Sequence, residues 1–173
     1  MVAGVHGAVA VAVITGIAHT AVCVPDLDAA VEWYESVLGL QVLSPPYRME
    51  GDAITRDMGE LVPPPVVVRA AIVGVGHDDH VLELIEYPEH RGAPTDTTVR
   101  LTDAGITHVG LVCDDVDATR ARLAHHDVEF LTAGVADVAG VRTTWFRDPW
   151  GVVFILVQKR HADRPYWRQH AGG

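Results

Sequence analysis

Gly16-Ile17-Ala18-His19-Thr20-Ala21-Val22-Cys23-Val24 returns 89 residues later as Gly105-Ile106-Thr107-His108-Val109-Gly110-Leu111-Val112-Cys113. The match runs on into the next segment, where Asp26, Asp28 and Ala29 fall on Asp115, Asp117 and Ala118. A repeat over that distance sets the architecture: one supersecondary unit is built twice, and the copies pack on each other. Each copy opens on an apolar run that reads as a strand. Alternation puts Ile17, His19, Ala21 and Cys23 on one face, and Ile106, His108, Gly110 and Val112 on the matching face of the second copy. Two half-chains that each offer one inward histidine make a candidate metal site.

The rest of each unit follows in order. After the first strand, Pro25-Asp26-Leu27-Asp28 supplies an N-cap for a helix ending near Leu38, with Gly39 as its stop. Leu40 to Leu43 reads as a short strand ended by Pro45-Pro46, and strands follow at Val66 to Val73 and His80 to Tyr87. The second unit repeats this order. Strand Ile106 to Cys113 leads to helix Val116 to His125, then to strands Val128 to Leu131, Val141 to Arg147 and Val152 to Gln158. The turn Asp148-Pro149-Trp150-Gly151 separates the last two. The spacing therefore predicts an α+β fold of two tandem βαβββ modules, 14–88 and 105–158, with sheets curled into a cup and helices outside. An extension (1–13), a polar linker (89–104) and a tail (159–173) complete the chain, and residues 44–65 are expected to form a long loop over a cleft. The tail shows no periodic pattern, so it is expected to be loose or to cap a partner subunit.

GIAHTAVCVPDLDAAVEWYESVLGLQV, VLELIEY, GITHVGLVCDDVDATRARL and WFRDPWGVVFILVQ, in that order over roughly residues 14–158, resemble the vicinal oxygen chelate superfamily. That group includes glyoxalases, bleomycin-resistance proteins and extradiol dioxygenases. The resemblance implies a divalent metal (Fe, Zn, Mn, Ni or Co) held in the cup by residues of the first and last strands of each module. Carried across, the ligands are His19, Glu83 and His108, with Glu83 also the catalytic carboxylate. Independently of any family, Glu83 lies mid-strand between aliphatic residues, where a carboxylate is costly unless paired or metal-bound. The fourth family ligand is an acidic residue in the frame DP-x-G-x-x-x-E, and here that place holds Ile155. Isoleucine neither ligates a metal nor moves a proton, which argues against the lactoylglutathione lyase and acyl-CoA epimerase chemistries. Gln158 is out of register with that slot, and a strand points it away from the cup.

Substrate contacts are expected from Tyr47 in the long loop, from Trp150 at the cleft rim, and from Arg69, which sits mid-strand among valines and equally suits an ion pair or an exposed edge. Two histidines and a carboxylate suit either a Lewis acid that polarises a carbonyl or Fe(II) oxygen chemistry. The first reading is therefore a metalloenzyme of lyase, isomerase or cyclase type acting on a small oxygen-rich molecule. The alternatives are an extradiol-type Fe(II) dioxygenase and a metal-free protein that binds a drug or metabolite.

A net charge of −10 gives no electrostatic support to a nucleic-acid role, and the usual Gly-rich nucleotide loops are missing. Cys23 and Cys113 lack CxxC spacing and read as buried reduced thiols, which suits the cytoplasm. The Ala/Val-rich start lacks a basic n-region and is broken by Gly4, His6 and Gly7, so it reads as an edge strand or tail; no membrane segment is expected. The resemblance also implies a homodimer.

Overall fold

The computed structural model describes residues 14–76, 80–90 and 100–169. The first module contains β1 (His19–Cys23), α1 (Leu27–Ser36), β2 (Gln41–Glu50), α2 (Asp52–Met58), β3 (Val67–Gly74) and β4 (Val81–Glu86). Its sheet runs β1-β4-β3-β2, with β1 parallel to β4 and the other pairs antiparallel. The second contains β5 (Val109–Val112), α3 (Val116–Ala124), β6 (Glu129–Phe130), β7 (Ala136–Val138), β8 (Val141–Arg147) and β9 (Val153–Lys159). Its sheet runs β5-β9-β8-β6, with β7 also paired to β8 and β5 again parallel to β9. The fold is thus α+β, two tandem modules whose curved mixed sheets form an open cup with the helices outside. No helix among the described residues is long and apolar enough to cross a membrane.

The repeated aspartates start both helices. Asp26 accepts from the Ala29 N–H at 3.1 Å, and Asp115 from the Ala118 N–H at 3.0 Å. Each cap satisfies one of the helix's unpaired first-turn donors. The buried stripe of α1 (Leu27, Ala30, Tyr34) and that of α3 (Val116, Leu123) join one core with Ala71, Val73, Leu82, Leu84, Phe146, Phe154 and Leu156. Tyr34 ties the modules together. Its hydroxyl donates to Asp148 Oδ2 at 2.7 Å, while its ring stacks on Trp150 at 6.0 Å and meets Phe154 at 6.2 Å.

Three segments differ from the sequence expectation. The stretch 44–65 is not one long loop. β2 continues straight through Pro45-Pro46, and α2 follows it. Proline is tolerated there because β2 is an edge strand and its pairing breaks between Val42 and Ser44 and again between Ser44 and Tyr47. The short β7 is an additional strand in the second module. The tail after β9 closes on itself: the buried Gln169 accepts from the His161 N–H at 2.9 Å and donates to the His161 carbonyl at 2.9 Å. The extension 1–13, residues 77–79, linker positions 91–99 and the last tail residues 170–173 lie outside the described residues.

Candidate functional site

Strand register determines which side chains share the open face. Ala21 pairs with Glu83, which pairs with Ile72. In the second module Gly110 pairs with Ile155, which pairs with Trp145. Glu83 and Ile155 are therefore equivalent positions, as are Ile72 and Trp145. Their neighbours of opposite parity, Leu82, Leu84, Phe154 and Leu156, belong to the core under the helices. The faces away from the helices are the two halves of the cup.

The first half holds the polar chemistry. His19 Nε2 lies 3.1 Å from Glu83 Oε2; the carboxylate side chain is 17% exposed and the imidazole 48%. Tyr47 pairs with Ala70 on the same face, and burial together with the Glu83 charge raises its phenol above the ordinary value. Burial, then the charges of Cys23 and Glu83, push the Tyr87 phenol up as well. Cys23 is exposed rather than buried, because it projects from the cup side of β1, and Cys113 on the helix side is half-buried.

The second half is apolar around its histidine. His108 Nδ1 lies 3.0 Å from Thr107 Oγ1, and its ring meets Trp145 edge-on at 4.8 Å. A Cβ added to Gly110 would stand 3.7 Å from Ile155 Cγ2. Gln158 faces the helix, where its Oε1 accepts from the Val116 N–H at 3.2 Å and from Arg142 at 3.3 Å.

The His19–Glu83 pair fits a divalent ion, since two donors at right angles on bonds of about 2.1 Å stand about 3 Å apart. The three-residue set does not converge in the same way. Among the described residues no group of three or more His, Cys, Asp or Glu side chains is gathered as a metal site. His108 spends its contacts on Thr107 and Trp145 instead.

Two expected substrate contacts fall elsewhere. Arg69 shares the helix side of β3 with Ala71 and Val73, and it bonds Glu86 at 2.8 Å and both Asp28 oxygens at 2.9 and 3.0 Å. Glu86 in turn accepts from the Leu27 N–H, so the cluster anchors the start of α1. The second module repeats the device with Arg142, Asp117, Gln158 and the Val116 N–H. Trp150 packs on Trp33 at 5.9 Å and on Tyr34 at 6.0 Å, in the joint between modules rather than at the rim of the cup. Arg69→Ala is expected to lower stability by about 2 kcal/mol, because it strips a charged partner from buried Glu86. Denaturant melts measure that loss, and an unchanged KM alongside it separates an anchoring role from substrate binding.

Trp145 was not among the residues singled out from sequence, although a signal existed. The Asp148–Gly151 turn fixes the β8–β9 hairpin, so counting back from the turn puts Trp145 across from Ile155. Tyr87 was missed too, though it has the parity of Glu83.

Residues 16–156 match the family model described as Glyoxalase/Bleomycin resistance protein/Dioxygenase superfamily. A 2-epi-5-epi-valiolone epimerase from Actinomyces sp is 33% identical over 168 residues, spanning 89% of this chain and 81% of the relative. The fold is also similar to a glyoxalase-family protein from Bacillus cereus (TM-score 0.75, 20% identity, 89% of this chain and 100% of that one). Glyoxalase I of Leishmania major gives a TM-score of 0.58 at 22% identity, over 85% of this chain and 88% of that one. On the family model, the relative and the shared modules, this chain belongs to the Glyoxalase/Bleomycin resistance protein/Dioxygenase superfamily.

Proposed function

We propose that the chain is an isomerase-type enzyme that inverts a stereocentre beside a carbonyl in a small oxygen-rich molecule, with Glu83 moving the proton. The observation that carries this reading is the Glu83–His19 contact of 3.1 Å on the open face of the first module. The relative named as an epimerase supports the reaction class. A divalent ion would be held by His19 and Glu83; bound there, it would supply Lewis-acid polarisation of a substrate carbonyl.

The chain's own residues do the rest. One oxygen of Glu83 faces His19 at 3.1 Å, and the other is left to take a proton from the carbon next to the carbonyl. Tyr47, kept protonated by burial and by the Glu83 charge, donates a hydrogen bond to a substrate oxygen. Ile155 leaves the opposite wall without the second carboxylate, so Glu83 also returns the proton after the substrate turns. Incubation with 2-epi-5-epi-valiolone in deuterated water tests the reading. Deuterium should enter the stereocentre of both epimers from the earliest times, and the exchange should stop when a chelator strips the metal. No exchange in the metal-loaded protein would exclude the reaction class for this substrate. Deuterium appearing first in the product alone would show that a second base faces Glu83.

A further inference from the structure

Compared position by position, the two half-cups have diverged in opposite directions. The first module has His19, Ala21, Glu83 and Ile72 across its strands, and the second has Gly110, Ile155 and Trp145, with His108 immediately before β5. The carboxylate has become an aliphatic side chain, and the aliphatic side chain an indole. Alanine has become glycine beside them, which removes the one methyl group that would stand over Ile155. On this face Ile155 and Trp145 lie side by side, both only partly buried, with Gly110 on the other side of Ile155. The Leu131 N–H donates to the Trp145 carbonyl at 2.8 Å.

The charges of the cup narrow what can lie there. Among the described strand positions, the open face carries two cations, Arg147 and Lys159. Arg147 is held by both oxygens of Glu129 at 3.3 and 3.2 Å. Lys159 Nζ donates to the carbonyls of Ala162 and Arg164 at 2.6 and 3.1 Å. Arg69 and Arg142 are turned to the helix side, each with its own aspartate. Phosphate and carboxylate groups are normally recognised by such side chains through charge-assisted hydrogen bonds, and the strands of this cup offer none that is free. A neutral hydroxylated ring needs something different. Its C–H bonds carry slight positive charge and settle on the negative face of an aromatic ring, while its oxygens seek donors and acceptors elsewhere.

We propose that Trp145 is the specificity platform of the second half-cup, and that it takes the C–H face of an uncharged, hydroxylated ring. This deepens the isomerase reading and rests on it for the reacting carbon, but recognition by Trp145 can be measured without turnover. The probes are inosose, a neutral six-membered polyhydroxy ketone, and an inositol phosphate, its anionic counterpart. Binding is followed by calorimetry in the Glu83→Gln protein, alone and combined with Trp145→Ala, Trp145→Phe or Trp145→Ile. Inosose should bind about tenfold more weakly to the alanine and isoleucine forms and nearly normally to the phenylalanine form, since an aromatic face suffices. The phosphate should gain nothing over inosose. Equal inosose affinity with and without the indole, no inosose binding at all, or tighter binding of the phosphate would overturn the proposal. Trp145-dependent binding without any deuterium exchange in the wild type would refute the isomerase reading while leaving the platform in place.

Discussion

Glu83→Gln should abolish proton exchange, with kcat falling by about a thousandfold, within the range that a positioned general base contributes. The substitution keeps the shape but removes the negative charge that takes the proton in the proposed reaction. It also weakens any metal held with His19, whose Nε2 is 3.1 Å from Glu83 Oε2. Folding should be unaffected or slightly improved, because Glu83 lies on the open face and contributes nothing to the core under the helices. Solvent-exchange kinetics together with a thermal melt separate the two effects. A variant that exchanges at wild-type rate would remove Glu83 from the mechanism.

The largest expected loss of stability is at the joint between modules. Asp148 is buried and accepts from the Tyr34 hydroxyl at 2.7 Å, the Trp150 N–H at 3.0 Å and the Val152 N–H at 2.7 Å. Asp148→Ala leaves those donors without their acceptor in a water-poor site, at a cost of about 4 kcal/mol. That corresponds to a fall of about 12 °C in Tm for a domain of this size. The same residue sets a pH dependence. Burial raises the Asp148 carboxyl above its ordinary value, against the hydrogen bonds from Tyr34 and the turn, which lower it. The folded state therefore holds this proton to higher pH than the unfolded chain. Its contribution to stability is greatest below the unfolded carboxyl value of about 4, falls as pH rises through the folded value, and is flat above it. Denaturant melts across that range should show the slope in the wild type, and Asp148→Asn should lack it.

How far this was legible in the sequence depends on the range of the forces involved. The helix starts were readable because a cap is a local bond: Asp26 and Asp115 each reach three residues ahead. The equivalence of Glu83 and Ile155 was readable for a similar reason, since period-two alternation and the repeat fix both strands. β2 was cut short because proline normally ends a strand, and only sheet order reveals that this strand is an edge. α2 went unseen because its cap is Gly51, at φ 92°, with no capping side chain to mark it. Arg69 was ambiguous because valines surround it on both parities, so alternation could not say which side of β3 is the core. Trp150 was placed at the rim because its partners, Trp33 and Tyr34, lie more than a hundred residues earlier in the chain. A contact of that range leaves no local trace.

The proposed division of labour between the half-cups matches the contacts, in which one histidine has a carboxylate partner and the other an indole. Both descend from the same repeated position, yet His19 meets Glu83 and His108 meets Trp145. Chemistry and recognition can then be altered separately, since the residues concerned sit on different sheets. The most direct measurement compares solvent-deuterium exchange of Glu83→Gln and Trp145→Ala with the wild type as a function of substrate concentration. Glu83→Gln should lose exchange even at saturation while still binding substrate. Trp145→Ala should recover nearly full exchange at saturation, with KM raised about tenfold. If instead Trp145→Ala lost the rate at saturation and Glu83→Gln kept it, proton transfer would belong to the second half-cup and the assignment of roles would be wrong.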